Sequence, residues 1–436
     1  MTITETSLGA LHERWPTLAP RARMEAFQAI PRELADNFFL DMNSRDQLDL
    51  LLALPEGEHR IWLRLLAPDD AADLMQIASP DRRQVLLSQL DETARREVAA
   101  LLAYKEDEAG GLMSPRFARL RPEMTIDEAI SYLRRQAAQV ETIYYAYALD
   151  DGQHLLGVVS FRDLFSADTA KTVRDVMREQ IVTATEETDQ ETLAKLFSMH
   201  HLLAIPVVDG ENRMKGIVTV DDIVEVVLEE ASEDIQKLGG MEALDAPYLQ
   251  IGFWRMVQKR AGWLAVLFVG EMLTATAMGY YEKEIARAVV LALFVPLIIS
   301  SGGNSGSQAT TLVIRAMAVG EVKLRDWWRI IRREFATGVV LGSVLATIGL
   351  TRILVWQAIW KSYGEHYVII ALTVACSLIG VVLFGTIAGS MLPFILRRLD
   401  LDPASASAPF VATLVDVTGL IIYFTIASVF MRGTLL

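Results

Sequence analysis

From about residue 250 onward, apolar residues run almost unbroken through five stretches, near 260–281, 286–314, 335–358, 367–394 and 407–431. Each approaches the roughly 20 residues that a bilayer core requires, so five membrane-spanning helices are predicted. Before residue 250 the pattern differs. Between Leu11 and about Leu102 apolar positions recur every three or four residues, as in HRIWLRLLAPDDAADLMQIA and RRQVLLSQLDETARREVAALLAY, and Pro31, Pro55, Pro68 and Pro80 cut the predicted helices short. After DEAGGLMSP strand-length apolar runs alternate with helical ones, and they do so twice. IDEAISYLRRQ and ETIYYAYALDDGQHLLGVVSFRDLF make the first unit, and QETLAKLFSMHHLLAIPVVDGENRMKGIVTVDDIVEVV makes the second. The expected architecture is multidomain: an all-α helical region over 1–109, a tandem α/β pair over 110–228, an acidic connecting helix over 229–252 and a five-helix transmembrane domain over 253–436.

Charge sharpens this division. The chain has 52 % hydrophobic residues and a formal net charge of −14, but residues 1–250 carry −20 and residues 251–436 carry +6. An acidic region joined to a membrane region with basic flanks argues against nucleic acid as a partner. The loop RAMAVGEVKLRDWWRIIRRE, with Arg315, Lys323, Arg325, Arg329, Arg332 and Arg333, is placed in the cytosol by the positive-inside rule. That puts the N-terminus in the cytosol and, after five spans, the C-terminus outside. Trp254, Trp263, Trp327, Trp328, Trp356 and Trp360 fall near span ends, where interfacial aromatics collect. The single cysteine, Cys376, excludes a disulfide framework and a cysteine-based metal site.

Three stretches carry candidate chemistry. PFVATLVDVTGLIIYF sets Asp416 inside the last span, where insertion of a charge costs about 2.5–3.5 kcal/mol and marks a functional candidate. Its neighbours Ala412, Thr413, Thr418 and Gly419 are small, leaving room for a hydrated ion or for an interhelical hydrogen bond. FVPLIISSGGNSGSQATTLVIRA brings Pro296, Gly302, Gly303 and Gly306, which weaken a helix, together with Asn304, Ser305, Ser307 and Gln308 at membrane depth. Irregular polar backbone survives in lipid only against protein or a wet cavity, so this span is expected to face the same interior as Asp416. Glu271 is a third intramembrane carboxylate, which a partner on an adjacent helix could equally hold. The connector, VDDIVEVVLEEASEDIQKL, repels itself at three- and four-residue spacing unless counter-charge arrives. Oxygen-rich clusters without Cys or His suit Mg²⁺ or Ca²⁺, although a solvated helix face would read the same way. No GKS or GKT phosphate-cradling loop for ATP hydrolysis is present, and no nucleophile–base arrangement points to an enzyme.

The repeated unit, with Ser160/Asp163 and Thr219/Asp222 closing its halves, resembles a tandem pair of CBS domains. In that family such positions can hold the ribose of ATP or another adenine nucleotide, while helix capping by Ser160 and Thr219 also explains the hydroxyls. The order of helical module, CBS pair, acidic connector and five spans, with GGNSGSQ and DPASASAPFVATLVDVTG in the second and fifth, resembles the MgtE family of magnesium channels. The resemblance implies a homodimer in the bacterial inner membrane. Its second and fifth spans would line a Mg²⁺ pore, with Asp416, Ala412 and Gly419 at the ion site and Asn304, Ser305, Gln308 and Thr413 along the path. It further implies closure by cytosolic Mg²⁺, with Glu106, Asp107, Glu108, Asp222, Glu225, Glu230, Glu233 and Asp234 as sensor candidates and Asp402 facing the connector. The rivals are a proton-coupled divalent cation transporter and a membrane-anchored nucleotide sensor.

Overall fold

The computed structural model describes residues 5–432, so the two termini that the sequence reading assigns to opposite sides of the membrane lie outside the described residues. The chain divides between Leu228 and Glu229 into two compact units.

The first unit begins with eight short α-helices, from Glu5–Arg14 to Glu92–Leu101. Their starts are written locally. Pro20, Pro68 and Pro80 occupy first turns, where a missing N–H is no loss. Asn43 accepts from the amide of Asp46, and Asp91 accepts from those of Thr93 and Ala94. Phe27, Phe38, Phe39 and Trp62 form the aromatic centre of this module, and its core runs on without a break into Leu193, Phe197, Ile205 and Val207. Two three-stranded sheets follow: β1 (Ala118–Leu120), β2 (Tyr145–Leu149) and β3 (Leu155–Ser160), then β4 (Ala184–Thr185), β5 (Ala204–Val208) and β6 (Met214–Thr219). In each, the first strand runs parallel and the third antiparallel to the central one. The register repeats as well, since Ser160 pairs with Tyr145 and Thr219 with Ala204 at the same corner of each half.

The connecting helix, Val220–Leu238, passes through the division without interruption. Among the described residues of the second unit, five helices are long and apolar enough to cross a membrane. They are Phe253–Tyr280, Val295–Ala318, Trp327–Trp360, Tyr367–Arg398 and Ala408–Phe430, called here spans 1 to 5. The GGNSGSQ stretch departs from expectation, because span 2 is a continuous helix through it. Its glycines serve contact. A Cβ on Gly385 would stand 2.3 Å from the carbonyl oxygen of Gly302, and one on Gly389 would stand 2.2 Å from that of Gly306, so spans 2 and 4 meet backbone to backbone. Thr310 of span 2 is buried and donates across the same seam to Gly389 O at 2.8 Å. Trp263, near the start of span 1, is held by its neighbours. It packs against Gly240, and its indole N–H donates to Ser407 Oγ at 3.2 Å.

The seam gives a direct test. Gly389→Leu forces a side chain into backbone and should destabilise the membrane unit by at least the ~1–3 kcal/mol of ordinary overpacking. A lower melting temperature and loss of a monodisperse size-exclusion peak would register it. Gly279→Ala, where a Cβ meets nothing within 4 Å, should leave both unchanged.

Candidate functional site

Asp416 lies half-buried on span 5. Glu271 on span 1 is its electrostatic neighbour. Thr413, three residues before Asp416, donates from Oγ1 to Glu271 Oε1 at 3.4 Å. Gly270 makes the approach possible, because a Cβ there would stand 2.7 Å from Thr413 Cγ2. Beside Glu271 opens a cleft of about 660 Å³, walled by Leu264 and Phe268 of span 1 and by Pro409, Ala412 and Thr413 of span 5. The ion pairs among the described residues of this unit include neither carboxylate.

Span 2 runs alongside. Gly303 faces Ala412, and Ser307 Oγ donates to Ala408 O at 3.2 Å. Asn304 and Gln308, one turn apart, lie on the outward face of span 2, and Thr311 extends that polar face. Ser305 is buried, with a hydroxyl that finds no partner among the described residues, and Gly419 packs on Val381, so both occupy packing positions between spans. Of the expected pore residues, the structure therefore gathers Asp416, Ala412 and Thr413 at one level, sets Asn304 and Gln308 on the neighbouring helix face, and turns Ser305 and Gly419 inward. The sequence left Glu271 open because its partner depends on how two helices rotate against each other.

At the end of the connecting helix, Lys237 Nζ donates to Asp402 Oδ2 at 2.6 Å and pairs with Glu233 one turn back. Burial opposes the Lys237 charge, but the hydrogen bonds to Asp402 and Glu233 outweigh it and hold the ammonium above its usual range. Asp402 also caps the turn after span 4, its Oδ1 accepting from the amide of Ala404 at 2.8 Å. These two sensor candidates thus share a lysine.

In the first unit, the helix Pro68–Ile77 brings Asp69, Asp70 and Asp73 against sensor candidates Glu106, Asp222 and Glu225. Burial pushes Asp222 up to about 7, against the hydrogen bonds from Thr219 and helped by the charges of Asp221 and Asp70. Burial likewise raises Asp69, reinforced by Glu141 and Asp222, and raises Asp73, reinforced by Asp70 and Asp222. Asp69, Asp70, Asp73 and Glu141 were missed in the sequence; PDDAADL shows acids one turn apart, but nothing local says what they face. Glu108 pairs with Lys105, and the backbone carbonyl of Asp107 accepts from the amide of Gln190, which leaves the Asp107 carboxylate out of that bond. Glu230 lies on the connecting helix beyond the division, as do Glu233 and Asp234. Among the described residues no three His, Cys, Asp or Glu side chains are gathered tightly enough to hold an ion as they stand.

The nucleotide candidates separate. Ser160, Asp163, Arg162 and Arg178 line a cleft of about 520 Å³ with Tyr144 and Tyr145, while Thr219 and Asp222 do not line it. In both pairs the hydroxyl donates to the Asp at 2.7 Å. Ser160 also caps its helix by accepting from the amide of Asp163.

Residues 295–426 match the MgtE family model, described as a divalent cation transporter; 10–107 match the MgtE intracellular N domain, and 109–169 and 173–229 the CBS domain. A magnesium transporter MgtE of Thermus thermophilus is 38 % identical over 422 residues, covering 96 % of this chain and 92 % of that protein. One of Bacillus subtilis is 33 % identical over 389 residues, covering 89 % and 84 %. The crystal structure of the cytosolic domain of the Mg²⁺ channel MgtE in complex with ATP is 38 % identical with a TM-score of 0.48, covering 50 % of this chain and 90 % of that one. Similarity to inosine-5′-monophosphate dehydrogenases, such as that of Methanocaldococcus jannaschii at 32 % over 104 residues, spans 24 % of this chain and 20 % of that enzyme.

The acidic cluster carries a pH signature. An acid held above its ordinary value of 3.8 binds its proton more tightly folded than unfolded, so Asp222 contributes stability that is full below that value and lost as pH rises through about 7. In divalent-free detergent the melting temperature of the full chain should therefore climb as pH falls from about 8 toward about 5. Asp222→Asn should flatten that slope. A slope identical in the variant and the unmodified chain would remove Asp222 as its source.

Proposed function

The chain belongs to the MgtE family of magnesium transporters, and on that premise we propose that it is a Mg²⁺-selective channel. Working as a homodimer in the bacterial inner membrane, it carries Mg²⁺ into the cytosol down the electrochemical gradient and closes when cytosolic Mg²⁺ is plentiful. The observation that carries this reading is Asp416, an intramembrane carboxylate with no basic partner among the ion pairs of its unit. Its donors fit the ion. Carboxylate, hydroxyl and carbonyl oxygens from Asp416, Thr413 and the Ala408 region suit a hard cation that keeps its waters and is contacted through them. The outward polar face of Asn304, Gln308 and Thr311 supports the dimer, since such groups are costly against lipid and favourable against a shared wet path. A negative-inside potential, about 2.3 kcal/mol per charge per 100 mV, would draw a dication inward.

The acidic cluster and the connector support closure by Mg²⁺. Carboxylates pushed up by burial and mutual repulsion gain from a divalent cation, which favours whichever arrangement gathers them. On this reading Glu106, Asp222 and Glu225 act with Asp69, Asp70 and Asp73. Lys237, bound to Glu233 and Asp402, fastens the connecting helix to the turn before span 5. The cleft at Ser160 and Asp163, with two arginines at its wall, suits an adenine nucleotide, its phosphates facing Arg162 and Arg178.

Mg²⁺ influx into proteoliposomes without a proton gradient tests the reading. The unmodified protein should conduct, and Asp416→Ala should abolish influx. Undiminished influx in the variant would move the ion site away from Asp416. Influx that requires a proton gradient would favour the coupled transporter.

A further inference from the structure

We infer that Arg352, near the C-terminal end of span 3, binds the phosphate of a phospholipid whose acyl chains lie along the apolar helix face around it. The inference does not depend on what crosses the membrane.

Between Glu334 and Trp360 the one charged side chain of span 3 is Arg352. Ile348, Val355, Trp356 and Ile359 share its face by helical spacing, and all are exposed with it. A cation on such an apolar face is costly until an anion reaches it. The ion pairs among the described residues of the membrane unit do not include Arg352. Its guanidinium is nevertheless held in place. Side chains on a helix lean toward the N-terminus, yet this one runs the other way. Its Cζ lies 4.9 Å from the ring centre of Trp356, and Nη1 donates to Tyr363 Oη, beyond the helix end, at 3.0 Å. Tyr363 is fixed in turn. Its amide donates to Gln357 Oε1 at 2.8 Å, Gln357 Nε2 donates to Gly364 O at 3.0 Å, and its ring packs on Phe294 with centroids 5.8 Å apart. Trp356 and Trp360, in contact with each other, form the aromatic belt that marks a membrane surface, so the charge is turned toward the level of the lipid phosphates. A guanidinium has five N–H donors; the phenol accepts one and neutralises nothing, whereas a phosphodiester accepts two side by side and carries the missing charge. Fastening the loop after span 3 does not require that charge, because Gln357 already clasps it from both sides. Phosphatidylglycerol, whose phosphate has no ammonium beside it, fits this site better than phosphatidylcholine.

The test is lipid retention by the full chain in detergent, read by native mass spectrometry as phosphatidylglycerol or phosphatidylcholine is added. Arg325, Arg329, Arg332 and Arg333, at the other end of span 3, also attract anionic lipid, so the quantity compared is the number of lipids retained per chain. Arg352→Gln should retain one phosphatidylglycerol fewer than the unmodified chain, its affinity at this site falling roughly tenfold. Arg352→Lys, which keeps the charge without the planar fork, should fall between the two. An equal count in Arg352→Gln and the unmodified chain overturns the inference. A merely structural arginine would lower the melting temperature of Arg352→Gln by the same amount in either lipid, and that result also overturns it; the larger loss is expected in phosphatidylglycerol. Should Arg352→Gln fail to fold, Tyr363→Phe decides, since it keeps the charge and removes the brace: retention should weaken roughly threefold, and unchanged retention counts against the inference. Glycerophosphoglycerol, the same headgroup without acyl chains, should not displace the lipid at equal concentration. Displacement would make the site one for a free phosphate ester and defeat the lipid assignment.

Discussion

Helices in a bilayer gain little by hiding apolar surface from lipid, so what locks them is close contact. In this chain that contact is the glycine seam between spans 2 and 4. With Gly302 and Gly306 against Gly385 and Gly389, the two backbones approach to a distance that any side chain would forbid. Span 5 is then wedged onto the seam. A Cβ on Gly302 would meet Val415 at 2.8 Å and one on Gly306 would meet Val411 at 2.8 Å, so those valines are the buried side of span 5. Once Val411 and Val415 face inward, the next residue is turned about 100° around the helix, and Asp416 is directed toward span 1. The orientation of the carboxylate follows from glycines on two other helices.

The five spans were legible because hydrocarbon demands a length, and the apolar runs supplied it. Their ends were less so. Span 3 begins at Trp327, not near 335, because RIIRRE continues the helix into the basic interfacial turn. The tandem repeat was legible from its doubled order of helix and strands, down to the matched corners at Ser160 and Thr219. GGNSGSQ was misjudged as irregular, since glycine's low helix propensity was weighed without its value for close approach; in a membrane the second effect wins. Pairings between distant segments stayed hidden. Glu271 beside Asp416 and the PDDAADL acids near Asp222 depend on helix rotation or on domain packing that no local pattern encodes, and of the connector's residues opposite Asp402 the sequence did not single out Lys237.

The acidic character of the first 250 residues also acquires a location. Much of it is ordinary surface charge, but Asp69, Asp73 and Asp222 are driven together by a core that joins the helical module to the second α/β half. Hydrophobic burial there works against electrostatics. The fold holds these acids close because the apolar side chains beneath them are buried together, and burial with mutual repulsion raises their proton affinity.

Span 1 stands apart from this packing. None of its residues is buried, and the span it packs on most is span 5. Spans 2 to 5 share a seam and a core, whereas span 1 is joined to span 5 by the close approach of Gly270 to Thr413, the Thr413–Glu271 hydrogen bond and the Trp263 indole on Ser407. The level at which Glu271 stands beside span 5 is thus fixed from one side only, by the residues of span 5 that flank Asp416.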